Sequence, residues 1–115
     1  MLKLFISIIF IFYSALSFAN SCIGNVDEIQ QGYNGRVSLI SNSLFSDNNA
    51  RDICRLDQAW QGVSIEACKS WLSILMISYT SNKKIWLQYS GTATCQSIGT
   101  WENATRPNAI RFVKP

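Results

Sequence analysis

The chain has 115 residues, with 10 Lys+Arg against 7 Asp+Glu for a net charge of +3, and it contains no histidine. One domain suits that length, and the missing imidazole excludes Ser/His and Cys/His catalysis and removes the commonest transition-metal ligand. No run of like charge is longer than Lys83-Lys84, so the sequence carries no basic stripe of the kind that binds nucleic acid.

The apolar share of 48% is unevenly spread. Residues 2–18 place Lys3 ahead of an apolar run, with small residues at Ser17 and Ala19, which is the pattern of a secretory signal peptide over 1–19. Cleavage after Ala19 leaves a single domain of 96 residues, 20–115, and removes five of the 14 aromatic residues. No later stretch approaches the ~20 apolar residues of a bilayer span, so no membrane span is expected after cleavage and the address is periplasm or medium.

Cys22, Cys54, Cys68 and Cys95 all lie in the mature part. An even number in a short exported chain predicts two disulfides, whereas zinc would ask for a C-x2-C knuckle or a histidine and finds neither. No metal or other cofactor is expected. Three pairings are open. Cys22 with Cys95 and Cys54 with Cys68 are favoured, the first tying the N-terminal end to a late strand and the second closing a short segment that ends at a helix start.

In chain order, Val26-Asp27-Glu28-Ile29 reads as a first strand, and Asn34-Gly35 marks a hairpin into Arg36-Val37-Ser38-Leu39-Ile40. Residues 41–43 and 46–49 have loop composition, and Ala50 to Leu56 is a third strand. Ser64 caps a helix with Glu66 in its first turn. Its apolar face holds Ile65, Cys68, Trp71, Leu72, Leu75 and Tyr79, and it ends near Thr80-Ser81-Asn82. Ile85 to Tyr89 and Ala109 to Val113 are the last strands. The order β-β-β-α-β-β predicts a mainly β domain with one helix, an OB-fold-like five-stranded antiparallel barrel with two disulfides. Its rival is an open α+β sheet with the helix on one face.

Asp27 and Glu28 are neighbours on a strand and point to opposite faces, which is wrong for a catalytic carboxylate pair. Asp52, Asp57 and Glu102 are isolated and read as solvated, so no catalytic residues are nominated and the chain reads as a binder. Of the four tryptophans, Trp71 falls on the helix's apolar face, and Trp86 alternates with Ile85 and Leu87. Trp60 and Trp101 stand in polar loops, each as a lid over the barrel end or as a stacking platform for a ligand.

Around Trp101 the sequence runs Trp101-Glu102-Asn103-Ala104-Thr105-Arg106-Pro107-Asn108-Ala109-Ile110. This run, with the helix end Leu75 to Thr80 before a lysine-containing strand, resembles the end of the OB-fold B subunits of cholera toxin and heat-labile enterotoxin. The resemblance covers roughly residues 68–113. A Cys22–Cys95 bridge would echo that family's single disulfide, while the second cysteine pair, the wider spacing from Cys95 to Trp101 and the shorter helix depart from it. The resemblance implies a ring-forming homo-oligomer that binds cell-surface glycan, with Trp101 stacking on a sugar ring, Asn103 bonding its hydroxyls and Arg106 near a sugar-contacting cation. The cysteine and tryptophan layout also looks like small uncharacterised exported proteins of Gram-negative bacteria, a likeness that implies no activity. A periplasmic protein-interaction domain (an inhibitor or immunity protein with a secreted or periplasmic protein partner) and a structural envelope protein are the alternative functions.

Overall fold

A computed structural model of the chain describes residues 20–91 and 94–114. The signal peptide read over 1–19 lies outside the described residues. Six strands form two three-stranded antiparallel sheets. In one, β5 (Ile85–Tyr89) is central, flanked by β1 (Asn20–Gly24) and β6 (Ala109–Phe112). In the other, β3 (Arg36–Ile40) lies between β2 (Glu28–Gln31) and β4 (Arg51–Arg55). A one-turn helix α1 (Asn42–Phe45) and a long helix α2 (Ile65–Ser81) complete the fold.

The expected single five-stranded barrel with one helix is therefore replaced by two sheets and two helices. The first sheet follows the period-2 rule of a half-buried ladder. Cys22, Leu87 and Ile110 face one another across β1, β5 and β6 and are buried, while the next row, Ile23, Trp86 and Arg111, turns outward. β1 itself was not legible as a strand, because Asn20-Ser21-Cys22-Ile23-Gly24 has no alternation and takes its partner β5 from far along the chain.

The hairpin predicted at Asn34-Gly35 exists. Its left-handed residue is Gly35 alone, at φ +80°, after a turn closed by the Gly35 amide on the Gly32 carbonyl at 3.1 Å. A Cβ on Gly35 would meet the Asp57 amide nitrogen at 2.9 Å, so the position admits no side chain. α1 arises where loop was expected. Ser41 accepts the Leu44 amide at 3.1 Å as its cap, and the single turn buries Leu44 and Phe45. Gly24 lets that turn lie against β1, since a Cβ there would stand 2.5 Å from Ser43 Oγ.

α2 starts at the predicted cap, with Ser64 Oγ accepting the Ala67 amide at 3.1 Å, and stops at Asn82, which is left-handed at φ +58°. Cys68 and Leu75 are fully buried, but Tyr79 is 55% exposed and Ser78 takes the inward place. The Ser78 hydroxyl donates to the Lys83 carbonyl and so satisfies a backbone group just beyond the helix end. The core joins both sheets and α2 through Val37, Leu39, Ile53, Leu75, Ile85 and Leu87.

Both disulfides pair as expected, Cys22–Cys95 and Cys54–Cys68, with Cα atoms 5.7 and 5.4 Å apart. Two disulfides fit an oxidising compartment. Among the described residues no helix is long and apolar enough to cross a membrane. The bridges close segments of 73 and 14 residues. In the chain-entropy picture the first is worth about 4 kcal/mol and the second about 3. Urea titrations should therefore show Cys22→Ala/Cys95→Ala losing more stability from the denatured side, while Cys54→Ala/Cys68→Ala adds a cavity cost because both sulfurs are fully buried. Equal denaturant midpoints for either pair and the parent would contradict this account.

Candidate ligand-binding loop

After β5 the chain crosses to the other sheet. The Trp101 amide donates to the Ala50 carbonyl at 2.7 Å and its carbonyl accepts from the Asp52 amide at 3.1 Å, a parallel rung against Arg51 of β4. Trp101 is thus held on both sides by backbone, yet its side chain is 47% exposed. Its φ is +52°, an uncommon conformation for a residue with a bulky side chain. The turn closes with the Asn103 amide on the Thr100 carbonyl at 3.1 Å. Gly99, at φ +63°, makes room for it, because a Cβ there would stand 2.6 Å from the Asn103 carbonyl oxygen. Asn103 is exposed on the same turn.

Arg106 lies in the following arm and is half-buried. Its Nε donates to the Gln61 carbonyl, and its Nη1 donates to Asn108 Oδ1 at 2.7 Å. The Gln61 amide side chain answers by accepting the Arg106 amide at 3.0 Å and donating to the Ala104 carbonyl at 3.0 Å. Gln61 and Gly62 both have positive φ, +47° and +80°, in a tight turn whose ends, Trp60 and Val63, exchange backbone hydrogen bonds. Trp101 and Asn103 are therefore brought together on one turn, and Arg106 serves beside them as the clamp between two loops. Gln61 escaped the sequence reading; the Gln61-Gly62 step between Trp60 and Val63 was its only signal. Trp60 is half-buried beside this clamp.

Beneath the loop, charges are paired rather than free. Asp52, expected to be solvated, is buried, accepting Ser38 Oγ at 2.7 Å and Arg36 Nε at 2.8 Å. Arg36 also reaches the exposed Glu102 at 3.4 Å. Asp52 stands opposite Ser38 in the β3–β4 ladder, where Ser38 and Arg36 of β3 both reach its carboxylate. Asp57 is exposed as expected, and its hydrogen bond from Arg55 holds its carboxyl below the ordinary range.

Arg51 has 1% of its side chain exposed, and its Nη atoms grip both Asp47 oxygens at 2.7 and 2.8 Å while the guanidinium stacks 4.3 Å from the Phe45 ring centre. That hydrogen bond, with the Asn49 amide and the arginine charge, holds the Asp47 carboxyl down at about 2 against the pull of desolvation. Tyr89 is buried, and desolvation keeps its phenol protonated well above the ordinary range although the Arg51 charge acts the other way. Among the described residues no group of three or more His, Cys, Asp or Glu could hold a metal ion. Compared with family models, with curated proteins and with solved structures, the chain matches none.

Two outcomes follow from this geometry. The Asp47 carboxyl binds its proton less readily folded than unfolded, where its pKa is about 3.9, so its contribution is full above pH ~4 and lost as pH falls toward 2. Acid titration of urea midpoints should show a larger loss in the parent than in Asp47→Asn, which should already be less stable near neutral pH because the buried Arg51 guanidinium loses its carboxylate. Trp101→Gly should be about 1 kcal/mol more stable than Trp101→Ala, since glycine takes φ +52° without the Cβ penalty; equal thermal midpoints would show that the turn carries no strain.

Proposed function

We propose that the chain is an exported, non-catalytic binding domain that takes carbohydrate on Trp101. The observation that carries this reading is the exposed indole of Trp101 on a rung fixed from both sides at φ +52°. Solvent exposure and backbone strain are both costs, and unstrained alternatives would tuck a tryptophan inward, so their combination points to a use for the ring face. Indoles stack on the apolar face of a sugar, and the exposed Asn103 amide on the same turn offers a donor and an acceptor to hydroxyls. Arg106 acts mainly by clamping the turn to Gln61. A non-catalytic role agrees with the missing histidine and with Asp47, Asp52 and Asp57 all engaged by arginines.

The finer architecture belongs to the same reading. β1 and β2 are consecutive and separated only by residues 25–27, each opening a different sheet, and the parallel rung from Trp101 to β4 ties the sheets together. We read them as halves of an OB-like barrel opened at 25–27, as the resemblance to toxin B subunits suggests, with a ring of copies as the working assembly. Export follows from the N-terminal leader pattern and suits the disulfides. A secreted or periplasmic protein partner is the second reading, favoured by Met76 and Ile77, which α2 leaves 53% and 47% exposed.

Glycan-array binding by the oxidised protein should fall at least tenfold on Trp101→Ala, as for a central aromatic anchor, with Trp101→Phe retaining part of it. A folded protein that binds no glycan and stays monomeric in light scattering would remove the proposal.

A further inference from the structure

The sequence holds no basic stripe, but the fold assembles a basic surface. Of the nine Lys and Arg after residue 19, Arg36, Arg51 and Arg55 are tied to carboxylates. Four of the other six, Lys83, Lys84, Arg111 and Lys114, are brought together where the Val113 amide donates to the Lys84 carbonyl at 3.1 Å. Among the described residues none of these four has an Asp or Glu partner.

Their surroundings are apolar. Asn82, Lys83, Lys84, Phe112, Val113 and Lys114 line a hollow of about 520 Å³. A second hollow of about 390 Å³ shares Phe112, Val113 and Lys114 with it and continues onto Trp86 and Arg111. The Lys83 ammonium stands 5.8 Å from the Phe112 ring centre and the Arg111 guanidinium 3.4 Å from that of Trp86. Phe112 is 38% exposed, and Ile23, opposite Trp86 in the ladder, is 50% exposed.

Lysines just past a helix end also favour its dipole, which would account for Lys83 and Lys84. It does not account for Arg111, Lys114 or the exposed Phe112 beside them. Cations alone would suit a sulfated polysaccharide. Cations interleaved with exposed aromatic and aliphatic side chains suit the boundary of a bilayer, where ammonium groups meet lipid phosphates and ring and alkyl groups enter the acyl edge.

We propose that Lys83, Lys84, Arg111 and Lys114, set around Phe112 and Trp86, form a docking surface for an anionic lipid bilayer. It shares no residue with the Trp101 loop and does not depend on glycan binding. Each cation at such a surface strengthens adsorption about fivefold, and salt screens the effect.

The test is co-sedimentation of the folded, oxidised protein with vesicles of about three parts phosphatidylcholine to one part phosphatidylglycerol, a lipid that carries no sugar. Binding is expected at low salt, with loss at about 0.5 M salt and on pure phosphatidylcholine. Lys83→Gln/Lys84→Gln/Lys114→Gln should weaken it about a hundredfold, Phe112→Ser should weaken it at every salt concentration, and Trp101→Ala should bind like the parent. Equal binding to neutral vesicles, no binding to the anionic ones, or an unchanged triple variant would overturn the proposal. So would retention on heparin without vesicle binding, which would assign the surface to a sulfated polysaccharide, or capture of monomeric short-chain phosphatidylglycerol alone.

Discussion

A guanidinium with 1% of its surface exposed must be neutralised where it stands, and much of this fold is arranged around that requirement at Arg51. Asp47 supplies two oxygens and Phe45 supplies a ring face, and both come from the short segment between β3 and β4. The chain reaches that geometry by turning at Ser46, which is left-handed at φ +62°, directly after α1 has buried Leu44 and Phe45. The Trp101 rung then lies against the same residue of β4. One buried cation thus links the loop 46–49, the position of α1 and the joint between the two sheets.

The division of labour between cations is chemical. The planar fork of arginine suits two-point contact with a carboxylate, and Arg51 and Arg55 each engage both oxygens of an aspartate in this way, while Arg36 approaches one oxygen of Asp52. Lysine, a hydrated point charge on a flexible stem, remains at the rim, and Lys83, Lys84 and Lys114 lie beside the same hollow. A modest formal charge of +3 therefore says little about the surface. Asp47, Asp52, Asp57 and Glu102 are paired with arginines, and four of the cations outside those pairs gather at the end of β6.

Local signals were legible where one short stretch contained the whole reason for an element. Ser64, Glu66 and the apolar spacing through Leu75 specify α2, and alternation in Ile85 to Tyr89 specifies β5 and sets Trp86 opposite Ile85 and Leu87, while which of the two sides is buried came from the fold. The favoured disulfide pairing was the one formed, the short Cys54–Cys68 segment ending at the helix start and Cys22 tied to the late Cys95. What escaped depends on distant partners. β1 takes its ladder from β5, and the buried Asp52 carboxylate takes its partners Arg36 and Ser38 from β3. Tyr79 and Ser78 compete for one place on α2, and spacing cannot separate positions three and four residues beyond Leu75. The preference for Ser78 comes from its hydroxyl reaching the Lys83 carbonyl. The Trp101 turn was legible as a polar loop with an indole, but its clamp was not, since Gln61 lies in another loop.

Strain is concentrated in the same region. Four non-glycine residues among those described have positive φ. Asn82 is an ordinary helix stop, at a residue type that tolerates the left-handed region. The other three, Ser46, Gln61 and Trp101, belong to loops that contact one another. Ser46 accepts a hydrogen bond from Gln96 at 3.4 Å, Gln61 is bonded to Ala104 and Arg106, and Trp101 rests on β4. Conformations of this kind persist only where surrounding contacts over-determine them. Here the Arg51–Asp47 pair, the Gln61 clamp and the backbone rung supply those contacts, while neither the indole nor the side-chain amide of Asn103 is consumed in doing so. The side chains left over from holding the loop together are the ones on which the proposed sugar binding rests.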